Sequence, residues 1–263
     1  MNNLKEEFAN LKTQVANLLN TLDRSKYTHL QNYIYFSHYP IFSFTDSVII
    51  LCEKGKPKVA KVLLRSLFEV HMDVIYHQLG DSEQRLSLSA KRSFDERITM
   101  LNEIVQLIEK YPNLKSQDPT NLFSESYLKN AIAYQEQYRE GILRGNPSIR
   151  GLRKVHLQEK AKACDEGSVK NAEGGHFQRM YSLIYRQLSP VAHLNVEGLQ
   201  EFMGQDDSGK VFFSDEDKSD FITGQAVGIC LAFIRDLYDN GILEGEPPES
   251  IGKIEEGLKG IGS

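Results

Sequence analysis

Apolar residues recur every three or four positions along most of this chain, and this spacing constrains the fold more than any other feature. The clearest run lies between Ala60 and Leu79, where one helical face carries Leu63, Leu64, Leu67, Phe68, His71, Val74 and Ile75. A repeat of about 3.6 residues is typical of an amphipathic helix that packs on one side. Similar spacing returns at residues 176–188 and 218–240. The sequence therefore predicts an all-α multi-helix bundle, with these three helices at its core.

Turn and breaker residues divide the predicted bundle. Residues 1–54 are predicted to form N-terminal helices that pack on the core, residues 55–245 a helical core domain, and residues 246–263 a frayed tail. Asp207-Ser208-Gly209 is a turn signal between two short apolar stretches, which predicts one small β-hairpin near residues 200–214. No alternation of strands and helices occurs, so the predicted class stays all-α.

The composition argues against several functional classes. With 40% hydrophobic and 25% charged residues among 263, the chain resembles a soluble globular protein rather than a disordered one. A net charge of −5 argues against a protein that coats nucleic acid through charge alone, although it permits a local phosphate site. The three cysteines are widely spaced and no histidine pair has metal-ligand spacing, so neither a metal nor a cofactor is predicted.

The opening residues and the hydropathy of the chain predict its location. No opening segment combines a basic start, an apolar run and a small-residue cleavage site. No 18-residue window is recognised as apolar enough to cross a membrane. We therefore expect a cytoplasmic protein without a membrane partner.

One segment, Tyr185-Arg186-Gln187-Leu188-Ser189-Pro190-Val191-Ala192-His193-Leu194-Asn195, concentrates side chains that can do chemistry, and we call it the junction motif. Ser189 followed by Pro190 is typical of an N-cap and a first helical turn, so one helix should end just before it and another begin at once. A guanidinium beside an imidazole suits phosphate chemistry, because the cation steadies the phosphate while the imidazole moves protons near neutral pH. Arg186 and His193 are therefore the candidate catalytic residues. The alternative is a capped helix end with a buried, hydrogen-bonded histidine.

The predicted central helix also carries a polar stripe, formed by Arg65, Glu69 and Tyr76 with Asp73 beside it. The stripe lies roughly opposite the apolar face. One interpretation is an exposed salt bridge, although arginine placed N-terminal to glutamate is the weaker order for helix support. If a second helix covers the stripe, its residues would instead form a rigid polar wall for a pocket.

Basic residues cluster in a third segment. Six lysines and arginines fall within 19 residues that contain a single acid, Glu159: Arg144, Arg150, Arg153, Lys154, Lys160 and Lys162. Such a run could face phosphates or the acidic segment at residues 201–220. A solvated basic helix is the commoner explanation of a charge run.

The central helix and the junction motif together resemble an uncharacterised bacterial all-helical family whose label states only an unknown function. The resemblance rests on Leu64-Arg65-Ser66-Leu67-Phe68-Glu69, an Arg-x3-Glu helix, and on the pattern Tyr-Arg-x-Leu-Ser-x3-His in the junction motif. It covers about residues 51–199. The junction motif also resembles the signature of HEPN proteins, an arginine followed after four to six residues by a histidine. Six residues separate Arg186 from His193 in this chain.

The HEPN resemblance implies a helical, commonly dimeric protein that acts as a metal-independent ribonuclease in bacterial anti-phage defence or in a toxin–antitoxin system. His193 would then assist proton transfer during attack by a ribose 2′-hydroxyl, and Arg186 would stabilise the crowded phosphate. A second subunit could complete the site across a two-fold axis. The expected partners are RNA and an antitoxin or other protein. The supporting residues would be Arg65, Glu69, Tyr185, Ser189 and Asn195.

A second function is compatible with the same residues. In it the protein is a non-catalytic helical module that binds a protein partner or a small ligand, and the polar side chains form a buried structural network. The sequence leaves both functions open.

Overall fold

The computed structural model describes residues 2–167, 176–186, 203–205, 211–213 and 219–259. It confirms the predicted all-α class. The chain forms two compact units, of which the first joins Met1–Gly80 to His156–Ser263 and the second is Asp81–Val155. The α-helices are α1 (Asn2–Asn20), α2 (His29–Glu53), α3 (Pro57–Gln78), α4 (Ser82–Lys110), α5 (Glu125–Gly145), α6 (Leu157–Gly167), α7 (His176–Met180), α8 (Ser219–Asp239) and α9 (Glu249–Lys259).

The core of the first unit is built from α2, α3 and α8. A capping box starts α2, because Thr28 Oγ1 accepts a hydrogen bond from the Gln31 amide at 3.1 Å and Gln31 Oε1 accepts one from the Thr28 amide at 3.0 Å. Pro57 stands in the first turn of α3, where its missing N–H costs no helical hydrogen bond, so this helix begins three residues before the predicted Ala60. The three helices bury their apolar faces, including Ile34, Ile41, Leu67, Met72, Phe233 and Ile234.

Helix α8 is apolar enough to raise the question of a membrane. By length and composition it could cross one, with an 18-residue window of mean hydropathy 1.3, so the expectation that no such window exists is wrong. Over half of that window, 56%, is buried inside the first unit. Its apolar side chains pack against α2 and α3, as those of a core helix do.

The predicted frayed tail is wrong between residues 249 and 259, where the chain forms α9. Ile251 and Ile254 are 1% and 0% exposed. The helix lies against α1, and a Cβ added at Gly257 would overlap the Leu4 side chain, so glycine permits the close approach. Apolar residues at positions 251, 254 and 258 have helical spacing, and their burial is what orders this segment.

The second unit contains α4 and α5, which pack on each other. Asp81 caps α4 by accepting a hydrogen bond from the Gln84 amide at 2.9 Å. Phe94 and Tyr138 stack between the helices with ring centroids 6.0 Å apart. This unit falls inside the predicted core domain at residues 55–245, so the compact units follow different boundaries from the predicted domains.

Two further elements belong to the first unit. The helix predicted from His176 to Leu188 is α7 followed by a π-helix at Tyr181–Arg186, a change of helix type that the spacing did not indicate. Strands β1 (Met203–Gln205) and β2 (Val211–Phe213) pair antiparallel, with Gly204 opposite Phe212. This pairing agrees with the predicted hairpin near residues 200–214, whose turn residues lie outside the described ones.

Candidate functional site

The polar stripe on α3 is largely covered rather than solvated. Arg65 Nε donates a hydrogen bond to Glu69 Oε1 at 3.1 Å, one helical turn away. The Arg65 side chain is only 13% exposed, whereas that of Glu69 is 39% exposed. The pair is therefore an ion pair at the edge of the core, with the cation on the protected side.

The cover over Arg65 comes from the start of the junction motif. Arg65 Nη2 donates a hydrogen bond to Tyr185 Oη at 2.9 Å, across 120 residues of sequence. The Arg65 guanidinium carbon also lies 4.2 Å from the centroid of the Tyr185 ring, within the range of a cation–π contact. The two segments that carry the family resemblance thus meet through one arginine and one tyrosine.

The π-helix fixes the position of Tyr185. Hydrogen bonds in a π-helix run from residue i to i+5, so side chains four residues apart lie nearly above one another. Tyr181 and Tyr185 stack in this way, with ring centroids 5.1 Å apart and ring planes at 15°. Single π-turns within helices occur frequently at functional sites. This widened turn carries the Tyr185 ring onto α3 and ends at Arg186.

Three of the seven predicted site residues, Arg65, Glu69 and Tyr185, are therefore together. Arg186 is the last residue of the π-helix, and its side chain lies outside the described ones. Ser189, His193 and Asn195 also lie outside the described residues. The geometry of the predicted catalytic pair stays a prediction.

Helix α6 covers the other end of the polar stripe. Lys160 Nζ donates a hydrogen bond to Asp73 Oδ1 at 2.5 Å and lies 5.5 Å from the centroid of the Tyr76 ring. The Lys160 side chain is 11% exposed, so this lysine is an internal partner of α3 and not part of a solvated basic face. Apart from the opposite charges, no local sequence pattern indicates this contact, because it joins residues 87 positions apart.

The partly exposed carboxylate of Asp73 influences a neighbouring phenol. Burial raises the pKa of Tyr33, and the negative charge of Asp73 raises it further. The Tyr33 ring packs on His77 with centroids 4.7 Å apart. Tyr33 is therefore neutral at physiological pH and serves as a packing residue at this end of the stripe.

One nitrogen atom of the Arg65 guanidinium, Nη1, determines what the polar stripe could bind. The Nε and Nη2 atoms of Arg65 are engaged by Glu69 and Tyr185, whereas its Nη1 atom makes no hydrogen bond within the described part of the chain. A guanidinium held on two sides presents a pre-oriented cation to an anionic group. Among the described residues, no group of three or more His, Cys, Asp or Glu side chains could hold a metal ion.

Comparison with known proteins identifies a family. Residues 32–211, more than half of the chain, match a family described as a family of unknown function, DUF5677. No curated protein and no solved structure matches the chain significantly. The matched range contains both α3 and the junction motif.

Proposed function

The chain belongs to DUF5677, a family of unknown function, and we propose that it is a HEPN-like, metal-independent ribonuclease. One observation carries the proposal: Tyr185, the first residue of the junction motif, accepts a hydrogen bond from Arg65 of the Arg-x3-Glu helix. This contact anchors the residue next to Arg186 on a rigid core helix, which is what a precisely held catalytic arginine requires.

In the proposed reaction, the ribose 2′-hydroxyl attacks the adjacent phosphorus and expels the 5′-oxygen of the next nucleotide. His193 accepts the proton of the attacking hydroxyl, and Arg186 neutralises the charge that develops on the phosphate oxygens. The departing 5′-oxygen takes a proton from water, and His193 returns its proton to the solvent, so the products are a 2′,3′-cyclic phosphate and a 5′-hydroxyl. Arg65 would orient Tyr185 and add positive potential, while Ser189 and Asn195 would shape the turn around His193.

The proposal extends to partners and setting. HEPN proteins are commonly dimeric, and in a dimer a second copy of this chain would bring another Arg186 and His193 across a two-fold axis. Such an enzyme would belong to an anti-phage defence or toxin–antitoxin system of the bacterial cytoplasm. An antitoxin or another protein would inhibit its activity.

The test is RNA cleavage in the absence of metal. Purified wild type, Arg186→Ala and His193→Ala are incubated with end-labelled total RNA and tRNA in EDTA, and the products are separated on a denaturing gel. We expect cleavage by wild type, with 2′,3′-cyclic phosphate ends, and at least a hundredfold loss in both variants. The matched controls are Arg179→Ala and His156→Ala, which change exposed residues of the same types. Cleavage that survives His193→Ala would refute the proposed roles.

A non-catalytic binding module is the second candidate, and the burial of Arg65 favours it specifically. An arginine that is 13% exposed and already paired with Glu69 and Tyr185 can serve structure alone. In that case His193→Ala should destabilise the fold by about 1 to 3 kcal/mol, the cost of a lost buried hydrogen bond. A catalytic His193 should instead be dispensable for thermal stability, so melting curves of the same variants separate the two candidates.

A further inference from the structure

A cavity of about 920 Å³ lies in the first unit, between α3, α7, α8 and α9. Its volume is at the upper end of the range for small-molecule sites. The cavity is lined by residues of α3 such as His71 and Gln78, which lie on a different face of the helix from Arg65 and Glu69. Arg65 and Glu69 are not among the residues that line the cavity.

Two polar pairs join α3 to α8 along the wall of this cavity. His71 Nε2 lies 3.2 Å from Asp236 Oδ2, and Asn240 Nδ2 donates a hydrogen bond to Gln78 Oε1 at 3.1 Å. The pairs are separated by four residues on α8 and by seven on α3, which corresponds to roughly 6 and 10 Å along the helix axes. The His71–Asp236 pair and the Gln78–Asn240 pair therefore lie at the two ends of one wall, and we call them the two polar points.

Each pair leaves one polar atom without a partner in the described part of the chain. Gln78 Nε2 is buried and makes no hydrogen bond there. The second carboxylate oxygen of Asp236, Oδ1, also has no hydrogen bond there; its side chain is 18% exposed, so this oxygen can accept from a ligand or from solvent. Buried polar groups are nearly always hydrogen-bonded, so Gln78 Nε2 in particular requires a ligand or a water molecule. The ligand would accept from Gln78 and donate to Asp236.

The wall between the two polar points is apolar and has room for a ring. Phe68 and Phe177 line it, together with Ile75, Leu79 and Met180. Gly228 of α8 also lines it, and a Cβ added there would meet no atom within 4 Å. An aromatic ring of a ligand would therefore displace water from this wall and pack against the phenylalanine rings.

The charges of the lining favour a cation over an anion. Three lining residues are acidic, Asp236, Asp239 and Glu255, and two are basic, Arg235 and Lys259. Arg235 Nη2 donates a hydrogen bond to Glu255 Oε2 at 2.6 Å, so these two charges offset each other. Two carboxylates, Asp236 and Asp239, and one ammonium group, Lys259, remain in the lining. A carboxylate or phosphate would meet the Asp236 side chain at the inner wall, whereas an ammonium group would be attracted to it.

From these features we propose that the cavity binds an arylalkylamine that carries a hydroxyl group at the far end of its ring. The ammonium group donates to Asp236, the ring packs against Phe68 and Phe177, and the hydroxyl oxygen accepts a hydrogen bond from Gln78 Nε2. A benzene ring with a two-carbon arm carries its amine and its hydroxyl group at opposite ends, as two separated polar groups require. Tyramine is the simplest molecule with these groups.

Isothermal titration calorimetry of the full chain with three matched compounds tests this assignment. Tyramine should bind saturably. The corresponding acid, 4-hydroxyphenylacetate, should bind at least tenfold more weakly because its charge is reversed, which corresponds to about 1.4 kcal/mol. Phenethylamine, which lacks the hydroxyl group, should bind more weakly than tyramine. No saturable heat with tyramine up to millimolar concentration, or equal binding of the acid, would overturn the proposal without the use of any variant.

Two substitutions then locate the ligand. Asp236→Asn should weaken tyramine binding at least tenfold, and Gln78→Met should remove the preference for tyramine over phenethylamine. Asp220→Asn is the control, because it changes an exposed carboxylate on the same helix outside the cavity lining. Unchanged tyramine affinity in a folded Asp236→Asn protein would contradict the assignment. Neither result depends on RNA cleavage, so failure here and failure of the ribonuclease proposal are distinguishable.

Discussion

The contact between Arg65 and Tyr185 can be tested by removing a single oxygen atom. Tyr185→Phe deletes the hydroxyl group that accepts the 2.9 Å hydrogen bond from Arg65 Nη2, while the ring beneath the guanidinium remains. A hydrogen bond to a charged group contributes about 1.5 to 3 kcal/mol. The Arg65 side chain is 13% exposed, so water can replace part of the lost interaction. We expect the free energy of unfolding to fall by about 1.5 to 2 kcal/mol.

A graded series separates the hydrogen bond from the rest of the contact. Tyr185→Leu also removes the cation–π interaction, which adds about 0.5 to 2 kcal/mol, so this variant should be the least stable. Glu69→Gln weakens an ion pair whose carboxylate is 39% exposed, and it should cost less than about 1 kcal/mol. The predicted order of destabilisation is Tyr185→Leu, then Tyr185→Phe, then Glu69→Gln.

The assay is urea unfolding followed by far-ultraviolet circular dichroism at 25 °C, with one slope fitted to all variants. Tyr181→Phe is the matched control. Its ring stacks on Tyr185, and its hydroxyl group makes no hydrogen bond within the described residues, so its stability should stay within about 0.5 kcal/mol of wild type. If Tyr185→Phe is as stable as Tyr181→Phe, the hydrogen bond to Arg65 does not form and the argument from it fails.

Three further predictions concern other parts of the fold. Asp73→Asn should lower the free energy of unfolding by about 1 to 3 kcal/mol in urea titrations, because it leaves the Lys160 ammonium buried without its carboxylate; unchanged stability would contradict the ion pair. Ile254→Ala should cost about 2 to 4 kcal/mol in the same assay, whereas exposed Glu256→Ala should cost little, since α9 is a docked helix; equal effects would indicate a frayed tail. Burial raises the pKa of Cys230 to about 12, and all three cysteines are buried, so a thiol reagent at pH 8 should react quickly with none of them in the native protein and with all three in urea; rapid labelling of the native protein would refute this burial.

The sequence predicted the helices well and their partners poorly, for a physical reason. Helical spacing of apolar residues is a local signal, so α3 and α8 could be located within a few residues of their observed ends. The Arg65–Tyr185 and Lys160–Asp73 contacts span 120 and 87 residues, and no local pattern encodes which polar groups meet. The tail was misassigned because three apolar positions in a short segment indicate a helix only once a surface is available to bury them.

The contacts among the candidate site residues could be inferred only in part, for a related reason. Arg65 and Glu69 are one turn apart on a helix, so their pairing follows from spacing alone. The π-turn at Tyr181–Arg186 could not be predicted, because nothing in the residue pattern distinguishes a widened turn from an ordinary one. His71 lies on the predicted apolar face and is buried in the structure, but its hydrogen-bond partner Asp236 could not be inferred from the sequence.

The first unit is discontinuous in sequence, and this has a consequence during synthesis. Helix α3 is complete at Gln78, but the lysine that pairs with Asp73 and the tyrosine that covers Arg65 are made only after the whole second unit. At about 5 to 20 residues per second, the 120 residues between Arg65 and Tyr185 take roughly 6 to 24 seconds to translate. During that interval the polar stripe of α3 is made but has no partner to cover it. The second unit therefore delays the burial of the stripe during synthesis. A nascent chain stopped before residue 156 should expose α3, so that a chaperone or a partner could bind a surface that is covered in the complete protein.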